Sequence, residues 1–227
     1  MRPQARDIPA MCTYHQSQLK KARRRTGVRE ERFSEMVEVL GEHGGDGIAP
    51  KDRVPVLTAG DRVIPMSWGF RRQFARKDGK GLTAPKPVVN AQSERMHVSM
   101  WRESYENRRC IVPVTAFYEW TGPSGAKVTH RFHQGGDAFF VAGLWEDHPE
   151  YGLCHTMLTT EPNREVAATG HDRCLVVLLE DEISRWLAGA EFGSFRRPDG
   201  ILAVESGVAN PRARAGPANR PEQGELF

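Results

Sequence analysis

The sequence predicts an α+β fold, a single domain with a large, mostly antiparallel sheet or barrel-like core flanked by helices. Three observations carry that expectation. Short β-prone runs, broken by Gly, Pro or polar residues, follow one another from residue 54 to residue 179. Only two segments show the apolar period of a helix, and they lie at the two ends of that series. No fixed-period repeat or linker divides the 227 residues, a length one domain accommodates. With 39% hydrophobic and 27% charged residues, an ordinary buried core is available and global disorder is excluded.

Taken in order, residues 1–10 hold two prolines and no apolar period, so they predict a dispensable N-terminal extension ahead of a domain over 11–215. Phe33, Met36, Val37 and Leu40 follow the i, i+3, i+4, i+7 spacing and predict a helix that stops before Gly41. Glu42 to Asp52 is rich in Gly and Asp and predicts a loop. Val54–Leu57, Arg62–Met66, Cys110–Val114, Val128–His133, Ala138–Leu144, Leu153–Thr160 and Cys174–Leu179 predict strands. Glu182 to Leu187 predicts a second helix, with Ile183, Trp186 and Leu187 on one face and Gly189 near its stop. After Ile201–Val204, the stretch Asn210 to Arg220 carries two prolines and three arginines and predicts an irregular arm, with 216–227 as a tail.

The longest apolar run, Cys174 to Leu179, is far short of the ~18 residues of a membrane span, and no signal-peptide core follows Met1. A cytoplasmic protein with no membrane partner is expected. The four cysteines (Cys12, Cys110, Cys154, Cys174) form no C-x-x-C pair, and the eight histidines no H-E-x-x-H pattern. Neither a disulfide scaffold nor a metal is indicated, and no cofactor motif is present. The net charge of +3 does not by itself define a partner. Its distribution is uneven, however. Lys20, Lys21, Arg23, Arg24, Arg25, Arg29 and Arg32 form one cluster, Arg71, Arg72, Arg76, Lys77 and Lys80 a second, and Arg95, Arg102, Arg108 and Arg109 a third. Such clusters suit phosphates, and equally suit a solvated surface.

Four local strings carry chemistry. Met11-Cys12 is the first. If the chain began at Cys12, its α-amine and thiol would sit on adjacent carbons, and the amine, titrating near pH ~7.7–8.0, would be partly nucleophilic in the cell. Amine attack on an aldehyde and thiol closure would then give a thiazolidine. On the dipeptide alone, an ordinary buried cysteine is the simpler reading. Asn90, in Val89 to Glu94, either caps a turn or orients an amine or sugar hydroxyl. Glu119, between Tyr118 and Trp120, is either an edge-strand carboxylate facing water or a buried acid/base whose pKa would rise. The aromatics around it could also stack unpaired bases. His171, beside Asp172, is a proton carrier or a structural residue.

Set in order, Met11-Cys12, M-S-W-G (Met66 to Gly69), N-A-x-S-E (Asn90 to Glu94), R-R-C-I-V-P…F-Y-E-W (Arg108 to Trp120), A-G-L-W-E (Ala142 to Glu146), T-x-L-T-T-E-x-N (Thr156 to Asn163), H-D-R (His171 to Arg173) and V-x-N-P-R (Val208 to Arg212) resemble the SOS response-associated peptidase family. Its members are abasic-site processing proteins. The resemblance covers residues 11–215. It implies a sheet-rich fold, single-stranded DNA containing abasic sites as partner, and a thiazolidine crosslink through Cys12 that shields the lesion. It also implies Asn90 as the residue holding the cysteine terminus and sugar, Glu119 as acid/base beside the amine, and His171 as the group assisting sugar ring opening. Trp68, Gln92, Trp120 and Arg173 fall where the family's motifs meet DNA. The implied peptidase activity is removal of the residues ahead of Cys12, and β-elimination from an unclosed imine would be a lyase side reaction. Two positions depart from the family: Tyr14 and Gln92 stand where it commonly has arginines. Rival readings from the residues are a cysteine hydrolase of the N-terminal nucleophile type and a non-catalytic single-strand binder.

Overall fold

A ring of strands organises the molecule. The computed structural model describes residues 12–22, 27–41, 45 and 47–214. The extension over 1–10, Met11, the basic triplet Arg23–Arg25 and the tail over 216–227 lie outside the described residues. In chain order the strands are β1 (His15–Gln16), β2 (Arg53–Thr58), β3 (Val63–Trp68), β4 (Phe70–Arg72), β5 (Lys86–Val88), β6 (Asn90–Gln92), β7 (Arg109–Val114) and β8 (Ala116–Thr121). They continue as β9 (Val128–His133), β10 (Phe139–His148), β11 (Gly152–Thr160), β12 (Cys174–Leu175), β13 (Val177–Leu178) and β14 (Ala203–Ser206). The helices are α1 (Glu30–Leu40), α2 (Arg102–Asn107), α3 (Arg164–Ala167) and α4 (Ile183–Leu187).

Strands β11, β3, β2, β7 and β10 pair in that order, and β10 pairs with β11 to close the ring. All of these pairings are antiparallel except β11 with β3. The long β10 makes closure possible. Its first half pairs with β7 through Phe139–Leu144, and its second half with β11 through Gly143–His148. Gly143 stands where the two registers meet, opposite both Cys110 and Met157. A Cβ there would lie 3.0 Å from the Cys110 sulfur and 3.0 Å from the Thr156 carbonyl oxygen. The missing side chain gives the three strands room to approach at that corner, where a larger residue would have to push its neighbours apart.

Alternation along the strands sends side chains to two cores. Leu57, Ile111, Phe140, Ala142, Leu144 and Leu158 join Phe33 and Met36 of α1 and Trp186 of α4 in one. Val54, Val56, Val112, Val114, Val141 and Met157 face the other, which runs on to Phe117 and Phe132 and contains Cys12. A second sheet, ordered β1, β8, β9, β14, adjoins the ring. β8 follows β7 after Thr115 alone, so the chain passes from ring to second sheet almost without a loop.

The expected helices form, α1 ending at Gly41 (φ +67°) and α4 preceded by a 3-10 turn over Glu180–Glu182. Cys174–Leu179 is not one strand. Val176 interrupts it, accepting from the Ala142 N–H and donating to the Leu158 carbonyl, so β12 pairs with β11 and β13 with β10. The stretch Ala116–Thr121, not among the expected strands, is fully β.

Much of the clustered positive charge serves the fold. Arg109 is buried, its guanidinium 4.1 Å from the Tyr105 ring centre and 4.4 Å from that of Trp186, donating to the Tyr105 and Ala190 carbonyls. Arg72 grips the Glu146 carboxylate, and Arg76 pairs with Asp78. These three members of the basic clusters are taken up by internal partners, because a guanidinium with satisfied donors is more stable beside a fixed carboxylate or carbonyl than unpaired. No helix among the described residues is long and apolar enough to cross a membrane.

Candidate active site

The antiparallel pairing of β1 with β8 sets His15 opposite Phe117, and the Tyr118 N–H donates to the Tyr14 carbonyl. Two residues further back along that ladder, Cys12 meets the side chain of Glu119. Its backbone nitrogen donates to Glu119 Oε1 at 2.8 Å. The other oxygen, Oε2, lies 3.1 Å from His171 Nε2. Asn90 comes from β6, held parallel against β11 with Asn90 opposite Met157, and its Nδ2 donates to the Cys12 carbonyl at 3.3 Å. Four sequence-separated candidates therefore converge on one backbone unit.

Glu119 is 2% exposed, so of its two readings the water-facing edge carboxylate is excluded. A buried carboxylate needs partners on both oxygens, and here one is an N–H and the other an imidazole. The hydrogen bond to Glu119 raises the pKa of His171 above its ordinary value, against an opposing effect of burial, with further support from the charges of Glu119 and Asp172. His171 Nδ1 has no hydrogen-bond partner among the described residues. Cys12 is fully buried, its Sγ 3.6 Å from the Tyr14 carbonyl oxygen. Burial, then the nearby Glu119 charge, push its thiol well above the usual range. The thiol is consequently protonated at neutral pH, the reverse of an activated cysteine nucleophile.

The residues expected at a DNA surface divide. Trp120 is half-buried at the site, its ring under the guanidinium of Arg212 (4.0 Å) and stacked at 6.5 Å with Tyr118. Arg173 is close by, but it is forked onto Glu94 (3.1 and 2.9 Å) and donates to the Thr159 carbonyl. Gln92 is half-buried on β6, opposite Thr159. Trp68 is corrected. It is fully buried, its indole N–H bonded to the Val89 carbonyl (3.1 Å) and its ring 4.8 Å from that of His15. The inward alternation of Met66 and Trp68 on β3 makes it a core residue with no face for a base. Among the described residues no group of three or more His, Cys, Asp or Glu is placed to hold a metal.

Sequence reasoning gave no role to Arg212 and Thr13, which meet at the site when the Arg212 guanidinium donates to the Thr13 hydroxyl. The available signal was the V-x-N-P-R string, whose arginine nothing local explains.

Ring and site together define an α+β barrel protein that presents the backbone nitrogen of a buried cysteine to a Glu–His pair. The family model described as SOS response associated peptidase (SRAP) matches residues 11–199, and the chain belongs to that family. It is similar to the abasic site processing protein YoaM of Bacillus subtilis (strain 168), 31% identical over 151 residues, 62% of this chain. The match spans 64% of YoaM's own length. It is also similar to the abasic site processing protein YoqW of the same organism, 27% identical over 155 residues, covering 64% of this chain and 67% of that protein. A solved structure from Bordetella bronchiseptica shares the fold at a TM-score of 0.62 and 21% identity, covering 86% of this chain and 99% of that one. Another, from Bacteroides thetaiotaomicron, has a TM-score of 0.62 and 19% identity over 91% and 96% of the two chains.

Proposed function

We propose that this protein acts on abasic sites in DNA, forming a thiazolidine crosslink between a terminal Cys12 and the open aldehyde of the abasic sugar in single strands. The reading draws on the relatives named as abasic site processing proteins. The single observation that carries it is the bond from the Cys12 nitrogen to Glu119, itself backed by His171. With residues 1–11 removed, that nitrogen is a primary amine already in hydrogen-bond contact with a carboxylate able to take its proton. Asn90 holds the adjoining carbonyl and fixes the direction of attack.

The steps balance without a cofactor. His171 assists opening of the sugar ring, exposing the C1′ aldehyde. The amine adds to C1′, and loss of one water gives the imine. The thiol adds across the C=N bond, sulfur to carbon and its proton to nitrogen, closing the five-membered ring. A thiol kept protonated by burial suits this order, in which nitrogen attacks first and sulfur delivers its own proton. It argues against the amide-hydrolase alternative, which needs a thiolate. So does the Glu119–His171 pair, which addresses the nitrogen rather than the sulfur. If closure fails, β-elimination from the imine cleaves the strand.

The test is incubation with a single-stranded abasic oligonucleotide, a denaturing gel, and intact-mass analysis of the adduct. The expected product is a borohydride-independent species with Cys12 as its first residue and a mass one water below the sum of its components. Absence of any covalent species would overturn the reading.

A further inference from the structure

Arg212 stands apart from the other arginines of the site. It sits on the C-terminal turn Pro211–Arg214, where its N–H is tied to Asn210 Oδ1 at 3.0 Å. Its guanidinium lies 4.0 Å from the centre of the Trp120 ring and donates to Thr13 Oγ1, joining the two ends of the described chain beside Cys12. Arg173 has its fork closed on Glu94, whereas no carboxylate among the described residues lies within salt-bridge distance of Arg212. Two further donors border it. The Thr13 hydroxyl accepts from Arg212 and keeps its own proton for another acceptor. The Trp120 indole N–H, a donor only, is buried with no acceptor among the described residues. An orphaned buried donor is destabilising unless something fills it, and here it borders an exposed guanidinium.

We propose that Arg212, Thr13 and the Trp120 indole form a phosphodiester subsite, which holds the backbone phosphate next to the sugar that reacts at Cys12. This rests on the abasic-site reading and assigns its phosphate contact. A planar guanidinium matches two phosphate oxygens at once, and stacking on tryptophan restrains its orientation beforehand. The charge of Glu119 reaches Arg212, but both of its oxygens are engaged by Cys12 and His171, and among the described residues no direct ion pair closes the guanidinium fork. The anion therefore binds one residue from the reacting nitrogen. The cation also supplies charge at a site where Gln92 has none.

The test uses the full chain and a single-stranded oligonucleotide with a tetrahydrofuran abasic analogue, which carries the phosphates but no aldehyde. Binding is followed by fluorescence anisotropy across a salt series. Arg212→Ala is expected to weaken binding about tenfold or more at low salt. It should also reduce the slope of log affinity against log salt by about 0.7, the share of one phosphate contact on a single strand. Arg212→Lys, which keeps the charge without the fork, should retain the slope and recover only part of the affinity. An Arg212→Ala slope equal to that of the parent overturns the subsite. A parallel arm uses an aldehyde-bearing abasic strand. Crosslinking by the parent together with an unchanged Arg212→Ala slope removes the subsite and leaves the thiazolidine reading. No crosslinking, with a slope that depends on Arg212, removes the thiazolidine reading and leaves a phosphodiester site.

Discussion

Cys12 contributes a nitrogen in contact with a carboxylate and a sulfur sealed in the core, and the two should respond differently to substitution. Cys12→Ala is expected to abolish the stable adduct on a denaturing gel, whereas Cys110→Ala, Cys154→Ala and Cys174→Ala, each removing a buried free thiol, should keep it. Cys12→Ser should leave a borohydride-reducible imine and more strand cleavage, because an oxazolidine closes poorly. Glu119→Gln and His171→Ala should slow single-turnover crosslinking by about 10²–10⁴-fold, the usual span for positioned acid–base groups. Parental rates in both variants would reduce them to structural residues. The Glu119–His171 pair also carries a pH signature. The folded pKa of His171 is raised, so the stability its contact confers is fully present below the ordinary value of 6.5 and is lost as pH rises through the higher folded value. The stability difference between the parent and His171→Ala, measured by urea unfolding, should therefore be largest below pH 6.5 and shrink on the alkaline side. His130, whose own pKa is lowered by burial and then by the charge of His171, is the neighbouring titratable group to control for.

At the scale of elements, ring closure depends on one strand serving two neighbours, and Gly143 is where β10 changes partner. Gly143→Ala should destabilise the fold by about 1–3 kcal/mol, the range for overpacking, read as a lower urea midpoint with an unchanged m-value. The displaced atoms include a backbone carbonyl, which has little freedom to yield. β6 and β8 have a different task. β6 delivers Asn90 from a strand parallel to β11, and β8 delivers Glu119 and Trp120 from the strand that receives the N-terminal segment. Asn163 caps α3 by accepting from the Val166 N–H, and Glu165 on that helix binds the Gly200 and Leu202 N–H groups. This helix therefore ties the segment leading to His171 to the one leading to β14.

For the molecule as a whole, the chemistry requires a chain that begins at Cys12, since an amide nitrogen cannot form an imine. Protein with Met1–Met11 locked on is expected to bind abasic single strands without crosslinking to them. N-terminal sequencing of a recovered adduct decides this, and a thiazolidine-bearing species that retained those residues would refute the scheme. Single strands should react faster than an intact abasic duplex, because the sugar must leave the stack to reach a buried nitrogen. Affinity should fall with salt, though less steeply than the arginine count implies, with Arg72, Arg76, Arg109 and Arg173 already engaged internally.

The sequence by itself determined the strand-rich α+β class, the end of α1 at Gly41 and the convergence candidates Cys12, Asn90, Glu119 and His171, but not the strand β8 or the meeting of Thr13 with Arg212. Apolar period, glycine stops and the ordered strings are all local in the chain, so one dimension records them. Tertiary structure decided what each residue does there. Trp68 and Trp120 sit in equally suggestive strings, yet inward alternation on β3 buries the first while the second carries Arg212. Arg173 and Arg212 are likewise indistinguishable as letters, and only the position of Glu94 separates a neutralised cation from one with no carboxylate partner among the described residues. The split of Cys174–Leu179 depends on which strand each half meets, and the burial of Glu119 on a pairing between residues 107 positions apart. Burial, partners and charge compensation are properties of neighbours in space, which local periodicity does not encode.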